Sequence, residues 1–378
     1  MSAFLGVALV AAVVGGATGG LIALQVDDDA TPAVPTSIAA SAPTTGPSES
    51  EVLREAIRRV LPAVVTIVVD LPAVSQDGGG LLERQNFGSG IVVSADGHVI
   101  TSFHVIDGAE AITVVLSTGE RRPAVMVADD SPFTDLAVLI TDPTGLRTAA
   151  LGDSDGLALG EPLAAISSGV VTFENQVKLG AFSARQARFP RDGVLLLDML
   201  QTDAAVNNGD SGGALIDATG QVIGLLTTVV RESEGRPVDG IAIAHSSNSI
   251  RPIVEAVVST GVNPRPRIGI ERVNSQHVLL SPELIEALVD GDDDAGPLPV
   301  ADGALIVSVD PGSPAEQAGV RPGDVVVGVD RVAVDADNPF ANLLAFAEAG
   351  VELELFVVRG VEQLVIAVVP QLIAGVPS

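Results

Sequence analysis

Gln201-Thr202-Asp203-Ala204-Ala205-Val206-Asn207-Asn208-Gly209-Asp210-Ser211-Gly212-Gly213-Ala214-Leu215 is the stretch around which the chain is organised. Ser211 stands among small residues, and Ala214, Leu215 and Ile216 run on as a buried strand. Glycine on both sides permits a tight turn and the close approach of a carbonyl group. Such a turn aims the amides of Gly209, Asp210 and Ser211 at one point beside the hydroxyl, which is what acyl transfer requires of an oxyanion site. A Gly-rich β-turn with an incidental serine is spelled with the same letters, so the reading needs a base and an orienting acid elsewhere.

Composition narrows the field. A chain of 378 residues has room for two domains with real cores, at roughly 100 to 200 residues each. Twenty basic residues against 48 acidic ones give a net charge of -28, which argues against nucleic acid as a partner, because phosphate binding needs clustered Lys and Arg. Cysteine is absent, which excludes disulfides, thiolate catalysis and a Cys-ligated metal. Four histidines, His98, His104, His245 and His277, are the candidate bases.

Residues 3–26 are uncharged and nearly all apolar or small, long enough as a helix to span a hydrocarbon core of roughly 30 Å. No Lys or Arg precedes Leu24 and Asp27-Asp28-Asp29 follows, so this segment reads as a retained transmembrane anchor, with a cleaved signal as the alternative. Residues 27–50, rich in Pro, Ser, Thr and Ala, form a flexible tether. Glu49 to Leu61 is expected to be a helix, capped by Ser48 or Ser50 and ended by Pro62.

Beyond Pro62 come short apolar runs separated by Gly, Asp and Pro, the pattern of a sandwich or barrel. They fall into two β-rich halves joined by Leu146 to Gly160. In the first half, His104 follows the run Val99-Ile100-Thr101-Ser102, and Asp135 directly precedes Leu136-Ala137-Val138-Leu139-Ile140. At the mouth of a buried strand a carboxylate needs a partner to offset its desolvation. Taken singly, a surface histidine and a turn aspartate account for these two as well, with Asp129 and Asp130 as competitors for the acid. His98 and His245 are poorer candidates for the base, His98 because it sits in the turn-like Asp96-Gly97-His98.

Together, Thr101-Ser102-Phe103-His104-Val105, Asp135-Leu136-Ala137-Val138-Leu139 and the segment from Gln201 to Leu215 resemble the three signatures of the HtrA/Deg family of serine proteases. The resemblance runs from about Glu51 to the end of the chain. It implies a mainly β, chymotrypsin-like double β-barrel over residues 51–262, with Ser211 as nucleophile, His104 as general base and acid, and Asp135 as the orienting acid. Gly209, Asp210 and Ser211 would form the oxyanion hole, and no metal or organic cofactor is needed. Three residues depart from the family pattern: Asn208 for Pro, Asp210 for Asn and Ala214 for Pro. Loss of two prolines leaves the oxyanion turn looser at rest. By the same resemblance, substrate adds as a strand along Gly224-Leu225-Leu226-Thr227-Thr228, and Leu225, Leu226, Val229 and Val230 favour small or medium apolar side chains. The loop from Pro72 to Asn86 is short for a cage-forming insertion.

After the proline-marked Gly261-Val262-Asn263-Pro264-Arg265-Pro266, residues 263–372 resemble a PDZ domain of the bacterial HtrA type, on Ala301 to Ala315 and Ala318 to Asp324. Arg267-Ile268-Gly269-Ile270 would be its peptide-binding, carboxylate-holding loop, with the Arg267 side chain either adding charge there or, by preference, left to solvent, and Phe340 to Ala349 its second helix. Arg331 stands where the family favours Gly. Asp290, Asp292, Asp293 and Asp294 lack the ligand spacing of a calcium loop and read as a solvated loop. The expected partners are unfolded or partly folded proteins, peptides with apolar C-termini and the membrane through residues 3–26, in a homotrimer of the bacterial cell envelope. A chaperone-like or peptide-binding protein with little proteolysis is the alternative.

Overall fold

The β-branched runs close into two six-stranded antiparallel barrels followed by a third sheet. The computed structural model describes residues 48–75, 81–168, 174–191, 194–230, 232–233, 236–237, 240–274 and 303–372. The expected membrane segment, residues 27–47 of the tether and the acidic 290–294 loop lie outside them, while Glu49 and Ser50, expected to close the tether, already belong to a helix. No helix among the described residues is long and apolar enough to cross a membrane.

The first barrel contains β1 (Val64–Ser75), β2 (Leu81–Val92), β3 (His98–Ser102), β4 (Ala111–Val115), β5 (Arg121–Asp129) and β6 (Leu136–Thr141), in the closed order β1-β2-β3-β6-β5-β4. The second contains β7 (Pro162–Ser168), β8 (Asn175–Arg191), β9 (Val194–Thr202), β10 (Ala214–Ile216), β11 (Val222–Val229) and β14 (Ala242–Ser246), with the small hairpin β12 (Glu232–Ser233) and β13 (Arg236–Pro237) beside it. Closure pairs each barrel's strands all round, and β11 is open on one side only where it runs past the end of β10. Most of the expected loop Pro72 to Asn86 is instead hairpin: β1 and β2 pair out to Ser75 and Leu81.

Each barrel has its own core, Val65, Ile67, Val99 and Leu139 in the first and Leu163, Leu200, Leu215 and Ile223 in the second. A third cluster lies between them, where Ile91, Ile100 and Leu136 meet Ile166, Ala214 and Leu225. Helix α1 (Glu49–Val60) and helix α3 (Ser247–Thr260) seal it through Ala56, Val60, Ile250 and Val257. Each fully buried Val, Leu or Ile side chain among these contributes about 1.5–3 kcal/mol, so the two halves are welded. Helix α1 starts as expected, with the Ser48 amide donating to Glu51 Oε2 at 2.8 Å, and runs into a 3-10 turn containing Pro62. The short helix α2 (Phe103–Ile106) follows β3.

The third sheet has the order β15 (Ile270–Asn274), β16 (Ala304–Val309), β17 (Val325–Val329), β19 (Leu353–Arg359) and β20 (Glu362–Val368), with β18 (Val332–Ala333) off β17. Helix α4 (Pro314–Ala318) is capped by Ser313 and ends on Gly319 at φ +85°. The second helix, α5 (Phe340–Ala345), stops four residues earlier than expected, and Phe346 beyond it is 74% exposed with no core to continue into. At the β17–β18 turn, Asp330 and Arg331 both take positive φ, 46° and 69°, so the backbone keeps a shape normally built with Gly although Arg occupies it.

This sheet is fastened to the barrels. Phe133 and Val194 join its core beside Ile268, Phe340 and Leu344. Asn342 bonds Leu195 twice, donating to its carbonyl at 2.7 Å and accepting from its amide at 3.0 Å.

Candidate active site

Register brings His104 and Asp135 together. β3 and β6 pair with Ser102 opposite Leu136, so the residues just past one strand and just before the other are neighbours. The Phe103 amide donates to the Asp135 carbonyl at 2.7 Å, and the His104 amide to Asp135 Oδ1 at 2.9 Å. His104 Nδ1 then lies 2.5 Å from Asp135 Oδ2. The backbone bond fixes the carboxylate before the ring meets it.

Asp135 is 7% exposed. Its Oδ2 also accepts from Thr227 Oγ1 at 2.5 Å, so one backbone amide, the imidazole and one hydroxyl offset its desolvation. With Asp135 at Nδ1, the imidazole proton is held there and the lone pair falls on Nε2.

Ser211 arrives from the second barrel. Its carbonyl accepts from the Ser89 amide at 2.8 Å, and the next amide, Gly212, donates to Leu226 O at 2.7 Å. Gly212 has φ +82°, and a Cβ there would meet Ser89 O at 2.1 Å, so only glycine lets the turn press against β2. Ser211 Oγ donates to Thr227 O at 3.1 Å. Thr227 therefore touches both Asp135, through its hydroxyl, and Ser211, through its carbonyl. His104 and Ser211 line one cavity of about 260 Å³ with Asn86, Val206, Leu226 and Val229.

Other expected residues are placed differently. The turn before Ser211 is a 3-10 helix over Asn208–Asp210, in which the Asp210 amide donates to Asn207 O at 2.9 Å. Of the three amides expected to face an oxyanion, this one is engaged within the turn. Leu225 does not line the cavity: it is fully buried in the cluster between the barrels, paired with Ala214 on one side and His245 on the other. The open edge is accordingly not Gly224 to Thr228 but begins at Thr227, where the register shifts and β10 has ended while β14 continues alongside to Val229. Leu226, Thr227 and Thr228 do line the cavity.

Arg267 is not left to solvent. Its guanidinium donates to the Asp129 carbonyl at 2.6 Å and to Asp129 Oδ1 at 2.9 Å. Next to it Arg265 Nε and Asn263 Nδ2 hold the buried Asp130, with Arg265 also over the Phe133 ring. Burial pushes the Asp130 carboxyl up, against the pull of Arg265 and Asn263. The rivals Asp129 and Asp130 thus bind the segment after α3, and Asp135 alone reaches the histidine. In the expected carboxylate loop, Gly269 has φ +74° with Ser313 Cβ 2.4 Å from where a Cβ would stand, and the following strand, β15, is the sheet's outer strand.

His98 lies at the opposite end of β3 from His104, buried, with Nδ1 3.0 Å from Ser94 Oγ. Burial pushes its imidazole down, against the weaker pull of Asp96. The unfolded chain therefore takes up this proton first as pH falls below about 6.5, and stability drops with it because the unfolded state binds more protons. Urea unfolding between pH 8 and 5.5 should show the wild type losing stability relative to His98→Asn as pH falls; a constant gap between them would show that His98 titrates alike in both states.

His245, fully buried, stands behind the site: its Nε2 accepts from the Asp135 amide at 3.2 Å. Nothing in its flanking residues announces that contact, since it depends on β14 lying beside β11.

Comparison with known proteins agrees with this fold. Residues 88–225 match the trypsin-like peptidase domain, and residues 305–359 the PDZ domain. A probable periplasmic serine endoprotease, DegP-like, of Halomonas elongata is 34% identical over 280 residues, which is 74% of this chain and 55% of that relative. The putative serine protease HhoB of Synechocystis is 31% identical over 345 residues, 85% of this chain and 79% of its own. Among solved structures, the HtrA-type protease AlgW with a decapeptide is similar at a TM-score of 0.53 and 28% identity, over 86% of this chain and 99% of that one. The barrel pair, the PDZ sheet and the relatives' shared length place this chain in the HtrA/Deg family of serine proteases.

Proposed function

We propose that this chain is an endopeptidase in which Ser211 attacks the scissile carbonyl, His104 carries the proton and Asp135 orients the ring. The observation that carries the reading is the His104–Asp135 bond at the wall of the cavity that also holds Ser211. A serine hydroxyl is a weak nucleophile until a base takes its proton during attack. His104 Nε2 takes it as the Ser211 Oγ–acyl bond forms, and the imidazolium is stabilised by Asp135. The same proton then passes to the leaving amine, and water repeats the sequence to release the acyl group from Oγ. Gly209 and Ser211 supply the oxyanion amides.

The domains run over 51–262 and 263–372, and substrate backbone adds beside Thr227 to Val229 with its side chain toward Val206 and Leu226. Ile268, Gly269 and Ile270 receive the C-terminus of an apolar peptide while β15 is extended by a strand. The decapeptide held by AlgW supports a peptide ligand. Residues 3–26 anchor a homotrimer in the bacterial envelope with the catalytic part outside the cytoplasm, where it acts on unfolded or regulatory proteins; the periplasmic description of the Halomonas relative favours that side.

The test is active-site titration of a chain lacking residues 1–47. A fluorophosphonate should label one serine per chain, mapped to Ser211 by peptide sequencing, and abolish cleavage of an unfolded protein substrate in proportion. Undiminished cleavage by fully labelled protein, or labelling at another serine, would sink the assignment.

A further inference from the structure

Lys178 is the single lysine of the 378 residues; every other basic residue is an arginine. It is not on the surface. It projects from β8, where it pairs with Ala165 of β7, and its side chain is 17% exposed against the 5% exposed Asp210. The Lys178 ammonium is bonded to Asp210 Oδ2. The same carboxylate accepts from Ser167 Oγ at 2.5 Å on its Oδ1 and from the Asn207 amide at 2.5 Å on its Oδ2.

We infer that Lys178 is a positioning residue for the oxyanion turn, acting through Asp210. Asp210 lies between Gly209 and Ser211, whose amides the proposed mechanism uses, and the inference rests on that reading. Its side chain ties the turn to its own first residue, Asn207, and to two strands of the second barrel, β7 through Ser167 and β8 through Lys178. Its main chain adds two further ties, the amide to Asn207 O and the carbonyl accepting from Gly213, both at 2.9 Å.

Of the three donors to this buried carboxylate, Lys178 is the one that carries a charge, so it offsets more of the desolvation than the hydroxyl or the amide does. Without Lys178 the carboxylate swings toward water and lets go of Asn207 or Ser167. The turn has Asn208 where the family pattern has Pro, so its shape rests on hydrogen bonds. Oxyanion stabilisation depends on donors fixed to a fraction of an ångström before the charge develops. The acidic residue at 210 and the lone lysine at 178 are therefore one device.

A coupled pair of substitutions tests this. Lys178→Met fills the same space without the charge and should lower kcat by about 10²-fold with KM little changed. Lys178→Met combined with Asp210→Asn should recover most of that loss, because an amide still accepts from Asn207 and meets Ser167 but needs no cation. Asp210→Asn alone strands the ammonium and should fall between them.

Two further readouts do not depend on activity. Amide exchange of the peptide spanning residues 204–215 should quicken in Lys178→Met and return toward wild type in the double variant. In a chain labelled with 15N-lysine, the lone side-chain ammonium should be protected from solvent exchange in the wild type and lose that protection in Asp210→Asn. Unchanged kcat and exchange in Lys178→Met, equal losses in the single and double variants, or a kcat loss matched by a general fall in melting temperature would each overturn the inference. If the wild type neither labels with fluorophosphonate nor cleaves, the protease reading fails instead, and exchange and the ammonium signal still decide whether Lys178 holds the turn.

Discussion

Ser211→Ala is expected to lower kcat on an unfolded protein substrate by about 10⁶-fold, and His104→Ala by a similar factor. The two groups act as one unit, since Oγ has no reactivity without the base and the base has no proton to take without Oγ. The double variant should consequently be no worse than either single one. KM should hold, because Leu226, Thr228, Val229 and the other residues around the cavity are untouched. A residual rate of about 10³-fold over water is expected from the oxyanion amides and binding alone. Ser211→Ala gives up the neutral hydrogen bond from Oγ to Thr227 O, so it should cost no more than about 0.5–1.5 kcal/mol of stability. The check is turnover of a quenched fluorescent unfolded protein by stoichiometrically titrated enzyme. Full turnover by Ser211→Ala would shift the reading to another nucleophile, and additive losses in the double variant would mean that His104 and Ser211 do not act on one proton.

What is legible in the sequence is what lies in local order. The small residues around Ser211, the histidine at a strand's end and the aspartate at a strand's start each sit where a one-dimensional pattern changes character. The two β-rich halves are likewise legible, because turn residues punctuate them. Contacts that depend on register are not. Thr227 reads as one of five substrate-edge residues, and only the shift in β11 pairing after Leu226 turns its hydroxyl to Asp135 and its carbonyl to Ser211. The same shift separates the buried Leu225 from the cavity-lining Leu226. His245 reads as a poor alternative base and proves to lie behind the acid. Arg267 reads as solvated and proves to hold Asp129, a partner 138 residues away that no local pattern encodes. Lys178 carries one readable signal that its neighbours hide: in so acidic a chain the only ammonium side chain points to a carboxylate partner, and that partner is Asp210, the departure from the family pattern.

Asp135→Asn should lower kcat by about 10⁴-fold while the fold and KM are kept, which makes it the sharper test of geometry. Three donors converge on the carboxylate: the His104 amide on Oδ1, and His104 Nδ1–H with Thr227 Oγ1–H on Oδ2. An asparagine has one accepting oxygen to offer them. Placing that oxygen toward the His104 amide sets an NH2 group against Nδ1 and Thr227, so the ring can bond it only by moving its own proton to Nε2. That tautomer presents Ser211 with a donor where it needs an acceptor, and no base remains. Turning the amide the other way keeps the right tautomer but faces the NH2 group toward the His104 amide, at a cost of about 1–3 kcal/mol for a buried donor left unmade. The backbone bonds from Phe103 to Asp135 and from Asp135 to His245 survive either choice, so the ring stays where it is and only its proton is misplaced. Activity should therefore return partly at high pH, where hydroxide in solution replaces the missing base, whereas the Ser211→Ala chain should stay inactive at every pH. A kcat loss below about tenfold in Asp135→Asn would mean that the tautomer is set by some other group, and would leave Asp135 a structural carboxylate at the mouth of β6.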